Sequence, residues 1–342
     1  MVKKWLITGG CGFIGRNLIS NLLKEHGHFI RIVDNLSVGN RGDLAMVCEF
    51  KESTPSSLNT QSSQVELVVS DILDYETCLN CCKNTDIVVH LAANTGVGPS
   101  VENPRKDMEA NVIGTFNMLE AARQNSVKRF IFASSGAPIG ECEPPIHEEL
   151  APHPVSPYGA SKLAGEGYCS AYYRTYGIET VALRFGNVYG PLSAGKNSVI
   201  AKFIKQTLAG ETLEIYGDGE QTRDFIYIDD LIQSIRKAVN PPSHNSSHTP
   251  FATPWGEAFQ IATNTETTIQ EMTNKLLFIL SELGYKKIKV EHGENRTGDV
   301  RRNFSDTSKA KKILGWEVEM KLDQGLKQTV EWFIEKYYLN ST

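Results

Sequence analysis

The segment TGGCGFIG, residues 8–15, decides the fold of this chain of 342 residues. It follows the apolar run WLIT (5–8) and opens the helical pattern FIGRNLISNLLKE, so it predicts a turn from a strand into a helix. Its glycines Gly9, Gly12 and Gly15 allow a tight turn, close approach of the backbone to a pyrophosphate, and close packing of helix on strand. The N-terminus of the helix then presents N–H donors and the positive end of a dipole to a phosphate.

An acidic residue ends the next strand-like run, FIRIVD (29–34). Asp34 lies 19 residues after Gly15, where a carboxylate accepts hydrogen bonds from an adenosine ribose and repels a 2′-phosphate. The alternative is a glycine-rich turn beside a strand-terminal aspartate with no ligand. Strand, glycines, helix and acid in this order favour a dinucleotide site, and NAD over NADP.

Strand-like and helical patterns alternate through the first half of the chain. The further strand-like runs are VELVVSD (65–71), DIVVHLAA (86–93), RFIFASS (129–135) and TVALRFGN (180–187), with helical patterns at 75–82, 104–124 and 157–176. Continuous apolar strands alternating with helices indicate an α/β fold, here a Rossmann doubly wound parallel sheet covered on both faces.

The alternation weakens after Asn187, where the strand-like runs are LEIYG (213–217), DFIYIDD (224–230) and FQIA (259–262). We therefore expect residues 1–187 to form mainly an NAD-binding Rossmann domain. Residues 188–342 are expected to form mainly a smaller C-terminal α/β lobe that binds the substrate, with segments of the two interleaved. Two polar stretches, 52–64 and 240–254, are interpreted as surface loops.

Charge and composition exclude several classes of protein. The net charge is −5 with both signs interspersed, so we expect no nucleic-acid partner. The sequence contains no run of 18 or more apolar residues, so no membrane span is predicted. The N-terminal MVKKWLITGG turns glycine-rich after a few apolar residues, so it is interpreted as a strand rather than a signal peptide. Because no signal peptide is predicted, the seven cysteines of the chain are expected to be reduced thiols of a cytoplasmic protein.

The cysteine and histidine pattern predicts no metal site. The CxxC in CLNCC (78–82) lacks the second clustered pair of Cys or His that a zinc site needs. His244 and His248 are interpreted as solvated residues of the second polar loop.

The segment SPYGASKLAGEGY (156–168) sets Tyr158 and Lys162 four residues apart. Ser156 suits an N-cap and Pro157 a first helical turn, so the phenol and the ammonium share one helix face. An ammonium near a phenol favours the phenolate and lowers its pKa, which makes Tyr158 a candidate general base. For an isolated YxxxK the commoner alternative is a surface helix with a packed tyrosine and a solvated lysine.

These motifs belong to a longer ordered set. TGGCGFIG is followed by Asp34, Asp71 with Ile72, HLAA (90–93), Asn111 in NVIGT, ASS (133–135), YGASK (158–162), RFGNVYGP (184–191), LEIYGDGEQTRDFIYIDD (213–230) and RTGDVRRNFSDTSKAKKILGW (296–316). Together they resemble the extended short-chain dehydrogenase/reductase family, in its NAD-dependent nucleotide-sugar epimerase/dehydratase branch. The resemblance spans nearly the whole chain, and within the branch it is to UDP-glucose and UDP-N-acetylglucosamine 4-epimerases.

The resemblance implies a catalytic set of Ser135, Tyr158 and Lys162. Tyr158 would exchange a proton with a sugar hydroxyl that Ser135 also hydrogen-bonds. Lys162 would hold the nicotinamide ribose and, together with oxidised nicotinamide, lower the pKa of Tyr158. Hydride would pass from sugar C4 to NAD and return to the other face of a bound 4-keto sugar. C4 is then inverted and NAD is regenerated.

The same resemblance implies contacts to NAD and to a nucleotide sugar. The expected cofactor contacts are Gly9, Gly12, Phe13, Ile14, Gly15, Asp34, Asn35, Asp71, Ile72, Leu91, Ala92, Ala93, Asn111, Tyr158, Lys162 and Phe185. The expected substrate contacts are Ser135, Gly136, Asn187, Val199, Tyr216, Arg223, Arg296, Asp299 and Asn303. Asn187, Arg223 and Arg296 match diphosphate-binding residues, because a guanidinium fork suits phosphate; the alternative for each is a surface ion pair or a cap.

The residues after Ser135 favour epimerisation over the other reactions of the branch. Dehydratases carry an Asp-Glu pair there, decarboxylases a glutamate at the second position, and epimerase-reductases and 3,5-epimerases a cysteine. This chain has Gly136 and Ala137, which cannot transfer a proton. Pro138-Ile139 replaces an aromatic residue of the family, so the shape of the sugar pocket is open.

The substrate and the assembly are also inferred from the resemblance. Asn303 lies at a position where tyrosine restricts 4-epimerases to glucose and galactose. Because asparagine is smaller than tyrosine, we expect UDP-GlcNAc/GalNAc to be accepted, and UDP-Glc/Gal remains possible. UDP-glucuronate is a further alternative, because Arg301 and Arg302 adjoin that position. The helical patterns 104–124 and 157–176 resemble the family's dimer bundle, so a homodimer is expected. An NAD-binding sensor or scaffold without activity is the alternative of another class.

Overall fold

A parallel sheet of eight strands forms the centre of the structure. The computed structural model describes residues 3–58, 64–242, 253–286, 288–294 and 300–338. Its strands are β1 (Lys4–Thr8), β2 (Phe29–Asp34), β3 (Lys51–Glu52), β4 (Val65–Val69), β5 (Ile87–His90), β6 (Arg129–Ser135), β7 (Glu179–Phe185), β8 (Asn187–Tyr189), β9 (Leu213–Tyr216), β10 (Thr222–Arg223), β11 (Phe225–Tyr227), β12 (Glu257–Ile261), β13 (Thr267–Thr268) and β14 (Val290–Gly293).

Helices connect these strands. They are α1 (Phe13–Leu23), α2 (Arg41–Ala45), α3 (Tyr75–Cys82), α4 (Val97–Glu102), α5 (Pro104–Met108), α6 (Gly114–Gln124), α7 (Pro157–Tyr176), α8 (Val199–Leu208), α9 (Ile228–Val239), α10 (Ile269–Glu282) and α11 (Leu322–Trp332). A π-helical segment, Glu109–Ile113, joins α5 to α6, and two others span Ala310–Leu314 and Phe333–Tyr338.

The strand order confirms the predicted doubly wound fold. The large sheet runs β12-β7-β6-β5-β1-β2-β4-β3, and every neighbouring pair is parallel. The chain therefore builds outward from β1 in one direction, then returns to β5 and builds in the other. The carboxyl ends of β1 and β5 flank this reversal, which is where open α/β sheets bind their ligands.

Both faces of the sheet are buried, as its continuous apolar strands predict. Leu6 and Val88 belong to one hydrophobic core, whereas their neighbours Ile7 and Val89 belong to the other. Successive side chains of a strand point to opposite faces, so helices must cover both.

The second half differs from expectation in two elements. FQIA (259–262), assigned to the C-terminal lobe, lies mostly in β12, which pairs with β7 at the edge of the large sheet. In DFIYIDD (224–230), strand β11 stops at Tyr227 and α9 begins at Ile228. The physical reason is that Ile228, Leu231, Ile232 and Ile235 bury one helical stripe, which outweighs the apparent strand pattern. The division into 1–187 and 188–342 stays a prediction.

Other features of the described residues bear on the excluded classes. No described helix is long and apolar enough to cross a membrane. No group of three or more His, Cys, Asp or Glu in the described part of the chain could hold a metal ion. The cysteines of α3 are buried free thiols, and burial raises the pKa of Cys78 and of Cys81 to about 12. Parts of both polar loops, with His244 and His248, lie outside the described residues.

Candidate active site and cofactor cradle

The glycine turn has the predicted geometry. β1 ends at Thr8 and α1 begins at Phe13, with Gly12 as an N-cap that has no side-chain hydrogen bond. Gly9 has φ +69°, and a Cβ there would lie 2.8 Å from the backbone nitrogen of Ala92. A Cβ on Gly15 would lie 2.5 Å from the carbonyl oxygen of Gly9. These two positions therefore exclude any side chain, and the first N–H groups of α1 are left for an anion.

Asp34 braces this turn from the end of β2. Its buried carboxylate accepts hydrogen bonds from the backbone N–H of Cys11, at 2.9 Å, and of Leu36, at 2.8 Å. Burial raises the pKa of Asp34, and these hydrogen bonds act in the opposite direction. The neighbouring Asn35 donates from Nδ2 to Asp71, 2.8 Å away, after the end of β4.

The other predicted cofactor contacts lie at the same edge of the sheet. Leu91, Ala92 and Ala93 follow β5, and the Ala92 N–H donates to the Thr8 hydroxyl at 3.1 Å. Ile72 follows β4 and packs on the helix α6, while Phe185 ends β7. The carboxyl ends of parallel strands meet at one edge, so the fold brings these residues together. Their contacts to a cofactor stay predictions.

Asn111, in contrast, has a side chain engaged by the protein itself. Its Oδ1 accepts from the Asn94 N–H at 2.8 Å, and its Nδ2 donates to the Asn94 carbonyl oxygen at 2.9 Å. Nδ2 also lies 2.9 Å from the Asp107 carboxylate and 3.2 Å from the Ser161 hydroxyl. The amide thus joins the segment after β5 to α5 and α7.

The three predicted catalytic residues converge where β6 ends and α7 begins. Ser156 is the N-cap of α7, accepting from the Gly159 N–H at 3.1 Å, and Pro157 occupies the first turn. Ser135, the last residue of β6, makes a side-chain hydrogen bond with Tyr158. Lys162 is buried; its Nζ donates to the Ala133 carbonyl oxygen at 2.9 Å and lies 5.9 Å from the Tyr158 ring centroid.

The expectation that Lys162, together with oxidised nicotinamide, lowers the pKa of Tyr158 stays a prediction. Burial raises the pKa of Tyr158 to about 12, and the Ser135 hydrogen bond opposes this only in part. Removing the phenolate from water therefore outweighs the nearby ammonium, which binds a carbonyl oxygen instead of the phenol. Burial also lowers the pKa of Lys162 to about 8, while Asp107 and Glu166 act in the opposite direction.

Sequence reasoning missed several polar groups beneath this set. His90 is buried between the hydroxyls of Thr8 and Thr115, at 2.8 and 3.1 Å, and burial lowers its pKa to about 3. Glu166 and Arg184 form a buried ion pair at 2.7 Å. The sequence signals that could have predicted these buried groups are His90 at the end of the apolar run IVVH and Arg184 within the apolar run VALRF.

The two positions directly after Ser135, Gly136 and Ala137, offer room but no acid or base. The Ala137 N–H donates to the Ser135 hydroxyl at 3.2 Å. A Cβ on Gly136 would meet no atom within 4 Å, so a side chain could stand there. Ile139 is buried in the protein. The residue that replaces the family aromatic thus packs inward.

Three of the predicted substrate residues, Arg223, Asn303 and Asn187, come from separate segments of the chain. Arg223, at the end of β10, donates to the carbonyl oxygen of Val300 at 2.8 Å. The Asn303 N–H donates to the Thr222 hydroxyl at 3.2 Å, so Asn303 lies beside β10. Asn187 is exposed at the start of β8. Arg296 and Asp299 lie outside the described residues.

Two other predicted substrate residues lie at the start of helix α8 and at the end of strand β9. Val199 is the first residue of α8. Tyr216 ends β9, partly exposed, with the Lys202 ammonium 5.1 Å from its ring centroid. The two arginines beside Asn303 already have acidic partners: Arg301 pairs with Asp218 at 2.8 Å, and Arg302 pairs with Glu266 at 2.7 Å.

Comparison with known proteins places the chain in a family. Residues 6–329 match the sequence profile of the family described as GDP-mannose 4,6 dehydratase. The chain belongs to this family, which confirms the predicted NAD-dependent epimerase/dehydratase membership.

Three relatives illustrate what the chain is similar to. UDP-glucose 4-epimerase of Mycolicibacterium smegmatis is 34% identical over 336 residues, which cover 97% of this chain and 98% of that protein. The structure of UDP-N-acetylglucosamine 4-epimerase from Methanobrevibacter ruminantium, in complex with UDP-N-acetylmuramic acid, has a TM-score of 0.83 at 29% identity, covering 98% and 99% of the two chains. UDP-glucuronic acid 4-epimerase from Bacillus cereus, with UDP-glucuronic acid and NAD, has a TM-score of 0.82 at 28% identity, covering 98% and 100%. These relatives confirm the Rossmann fold and NAD as the cofactor expected from the sequence.

Proposed function

We propose that this chain is an NAD-dependent UDP-sugar 4-epimerase, which inverts C4 of a UDP-hexose through a bound 4-keto sugar. The observation that supports this most strongly is the convergence of Ser135, Tyr158 and Lys162 at the end of β6, at the same edge of the sheet as a glycine turn whose geometry suits a pyrophosphate. A sensor or scaffold without activity would not need this set.

The chain fits the cofactor at the glycine turn. The proposed contacts are the N–H groups at the start of α1 for the pyrophosphate and Asp34 for the adenosine ribose. Bound NAD would supply the acceptor and donor of hydride. The protein would hold the sugar so that C4 faces the nicotinamide in two orientations of the 4-keto group.

The protein's own residues would move the proton. Tyr158 would take the proton of the sugar 4-hydroxyl and later return it, with Ser135 hydrogen-bonded to both oxygens. Because burial raises the pKa of Tyr158 to about 12, the phenolate needs stabilisation by positive charge. Lys162, buried beside the ring, is the cation placed to supply it.

Epimerisation is favoured over dehydration because the chain lacks a further acid in the right place. The space beside Gly136 could hold a side chain, yet neither Gly136 nor Ala137 can transfer a proton. The family also includes dehydratases, and the lack of an acid at these two positions supports epimerisation over dehydration. A dehydratase or reductase would change the mass of the sugar, whereas a 4-epimerase would not.

The substrate is proposed to be UDP-GlcNAc/GalNAc, UDP-Glc/Gal or both. Asn303 is smaller than tyrosine and would leave room for an N-acetyl group. UDP-glucuronate is the second candidate, since one relative binds it. It is less favoured because Arg301 and Arg302, the cations expected to attract a carboxylate, already pair with Asp218 and Glu266.

The test is proton NMR of the purified protein mixed separately with UDP-glucose, UDP-GlcNAc and UDP-glucuronate, with no added cofactor. A product of galacto configuration and unchanged mass would support 4-epimerisation with retained NAD. The preferred sugar would identify the substrate. A protein that holds NAD but converts none of the three sugars would contradict the proposal.

We also propose a cytoplasmic homodimer with α6 and α7 at its interface. Phe116 on α6 and Tyr168 on α7 are partly exposed and lie 5.5 Å apart between ring centroids, and Tyr176 continues this aromatic surface. Aromatic residues are enriched in the cores of interfaces. Light scattering that gives the mass of a single chain at working concentration would contradict the dimer.

A further inference from the structure

Lys162 carries a buried positive charge, and its hydrogen bond to a neutral carbonyl oxygen does not neutralise that charge. The side chain is only 3% exposed, and Nζ donates to the neutral carbonyl oxygen of Ala133. A buried ammonium is costly unless a negative charge lies nearby. Three acidic groups influence it, on Asp107, Glu166 and Cys169.

Two of these groups can be set aside. Glu166 accepts hydrogen bonds from Nη2 and Nε of Arg184, at 2.7 and 2.8 Å, and from the Ser134 hydroxyl at 2.6 Å. Its charge is therefore matched by Arg184. Burial raises the pKa of the Cys169 thiol far above neutrality, so this group is uncharged.

Asp107 remains, and its surroundings are unusual for a carboxylate. The residue is fully buried in α5; burial raises the pKa of its carboxyl, while hydrogen bonding and the Lys162 ammonium lower it and so favour the charged form. Oδ1 accepts from Asn111 at 2.9 Å, whereas Oδ2 is buried without a hydrogen-bond partner. No cation of the described residues lies within ion-pair distance of Asp107. The same Asn111 amide reaches Ser161, which stands between Tyr158 and Lys162 on α7, so the carboxylate is held against the active face of that helix.

We propose that Asp107 is a positioning residue that provides the buried negative charge balancing Lys162 and thereby keeps the catalytic lysine charged. The inference rests on the proposed function for its catalytic part, because it assigns the charge of Lys162 to the support of the Tyr158 phenolate. Asp107 itself touches neither substrate nor cofactor in this assignment and acts through Lys162.

The pH dependence of turnover follows from the groups that face Lys162. These are Asp107 on α5, Tyr158, Glu166 and Cys169 on α7, and His90 on β5. His90 is neutral in the working range, since its pKa is about 3. Asp107 raises the pKa of Lys162 and that of Tyr158, so removal of its charge lowers both. The acid and the alkaline limbs of the activity profile should then move to lower pH.

The first experiment measures kcat of the holoenzyme against pH for Asp107→Asn. Both limbs are expected to move down by about 1 pH unit, the usual effect of one nearby charge. Asp107→Glu keeps the charge and is expected to restore the wild-type limbs. Glu109→Gln is the matched control, because it removes an exposed acid from the adjoining π-helical segment and should leave the limbs in place. A profile of Asp107→Asn that is lower but not displaced would overturn the proposal.

The second experiment does not depend on the proposed function. Melting temperatures are measured for Asp107→Asn, Lys162→Met and the double variant. Each single variant leaves one buried charge uncompensated, whereas the double variant leaves none. The loss of melting temperature in the double variant is therefore expected to be smaller than the sum of the losses in the two single variants. Additive losses would overturn the pairing of Asp107 with Lys162, whether or not the protein is an epimerase. If Asp107→Asn alone fails to fold, recovery of folding in the double variant would support the pairing.

Discussion

Lys162 binds the carbonyl oxygen of Ala133, 2.9 Å away, and so ties helix α7 to strand β6 one turn after Tyr158. The lysine therefore has a structural contact as well as a charge. The phenol of Tyr158 is supported from the other side by Ser135, at the end of the same strand. The catalytic set is thus held by the central sheet itself rather than by a loop, which fixes its geometry before substrate binds.

Tyr158→Phe is expected to keep NAD and to lose at least ~10²-fold in turnover, since a general acid–base group contributes that much. Turnover is followed by NMR, and NAD content by absorbance of the denatured protein. Tyr168→Phe is the matched control, because Tyr168 lies on the same helix, partly exposed, with its ring against Phe116. Near-wild-type turnover of Tyr158→Phe would exclude the tyrosine as the proton carrier.

Local sequence was enough to predict the parts of this site that depend on local structure. The glycine turn, the cap at Ser156 and the shared face of Tyr158 and Lys162 all follow from neighbouring residues. The order of motifs along the chain was enough to predict which strands end at the same edge of the sheet as the glycine turn. These features are the ones that the structure reproduces.

Tertiary burial could not be predicted in the same way. Helical spacing placed an ammonium near Tyr158 but did not reveal how far the surrounding packing buries the phenol, and burial raises its pKa. Asp107 is one acid in a polar helical stretch, and only the packing of α5 against α7 makes it a buried countercharge. The place of β12 beside β7 likewise depends on the fold of the whole chain.

Gly15→Ala is expected to destabilise the protein and to reduce its NAD content. The new Cβ would lie 2.5 Å from the Gly9 carbonyl oxygen and 2.6 Å from the Gly10 Cα, and such overpacking costs about 1–3 kcal/mol. The melting temperature and the NAD content of the purified protein report the two effects.

Gly167→Ala is the control for that prediction. Gly167 lies in α7, and a Cβ added there would meet no atom within 4 Å, so alanine should fit without strain. Replacing a helical glycine by alanine is expected to stabilise by roughly 0.5–1 kcal/mol. Equal losses in the two variants would mean that the crowding around Gly15 is not the cause.

Glu120→Gln is expected to weaken the contact between α6 and α7 in a pH-dependent way. Glu120 accepts from Arg123 at 2.6 Å and from the Tyr172 hydroxyl at 3.1 Å, and these bonds, with Arg123 first, lower its pKa to about 2. A lowered carboxyl pKa contributes stability that is fully present above the unfolded value and is lost as pH falls through the folded value.

The difference in melting temperature between wild type and Glu120→Gln should therefore be largest above about pH 5 and shrink towards pH 2. The difference should be small, because Arg123 is partly exposed and solvent screens the pair. Glu102→Gln, an exposed acid at the end of α4, is the control. A difference independent of pH would show that the amide disturbs packing rather than charge.

Asn303→Tyr is expected to reduce turnover of UDP-GlcNAc more than that of UDP-glucose. Asn303 is half-buried beside Thr222, so a larger ring there would project into the space proposed for the N-acetyl group. The ratio of kcat/KM for the two sugars measures this, because it cancels any general loss of active protein. Asn303→Ser is the matched control: it keeps a small polar side chain and should leave the ratio near that of wild type. An equal loss on both sugars in the tyrosine variant would mean that Asn303 does not face the N-acetyl position.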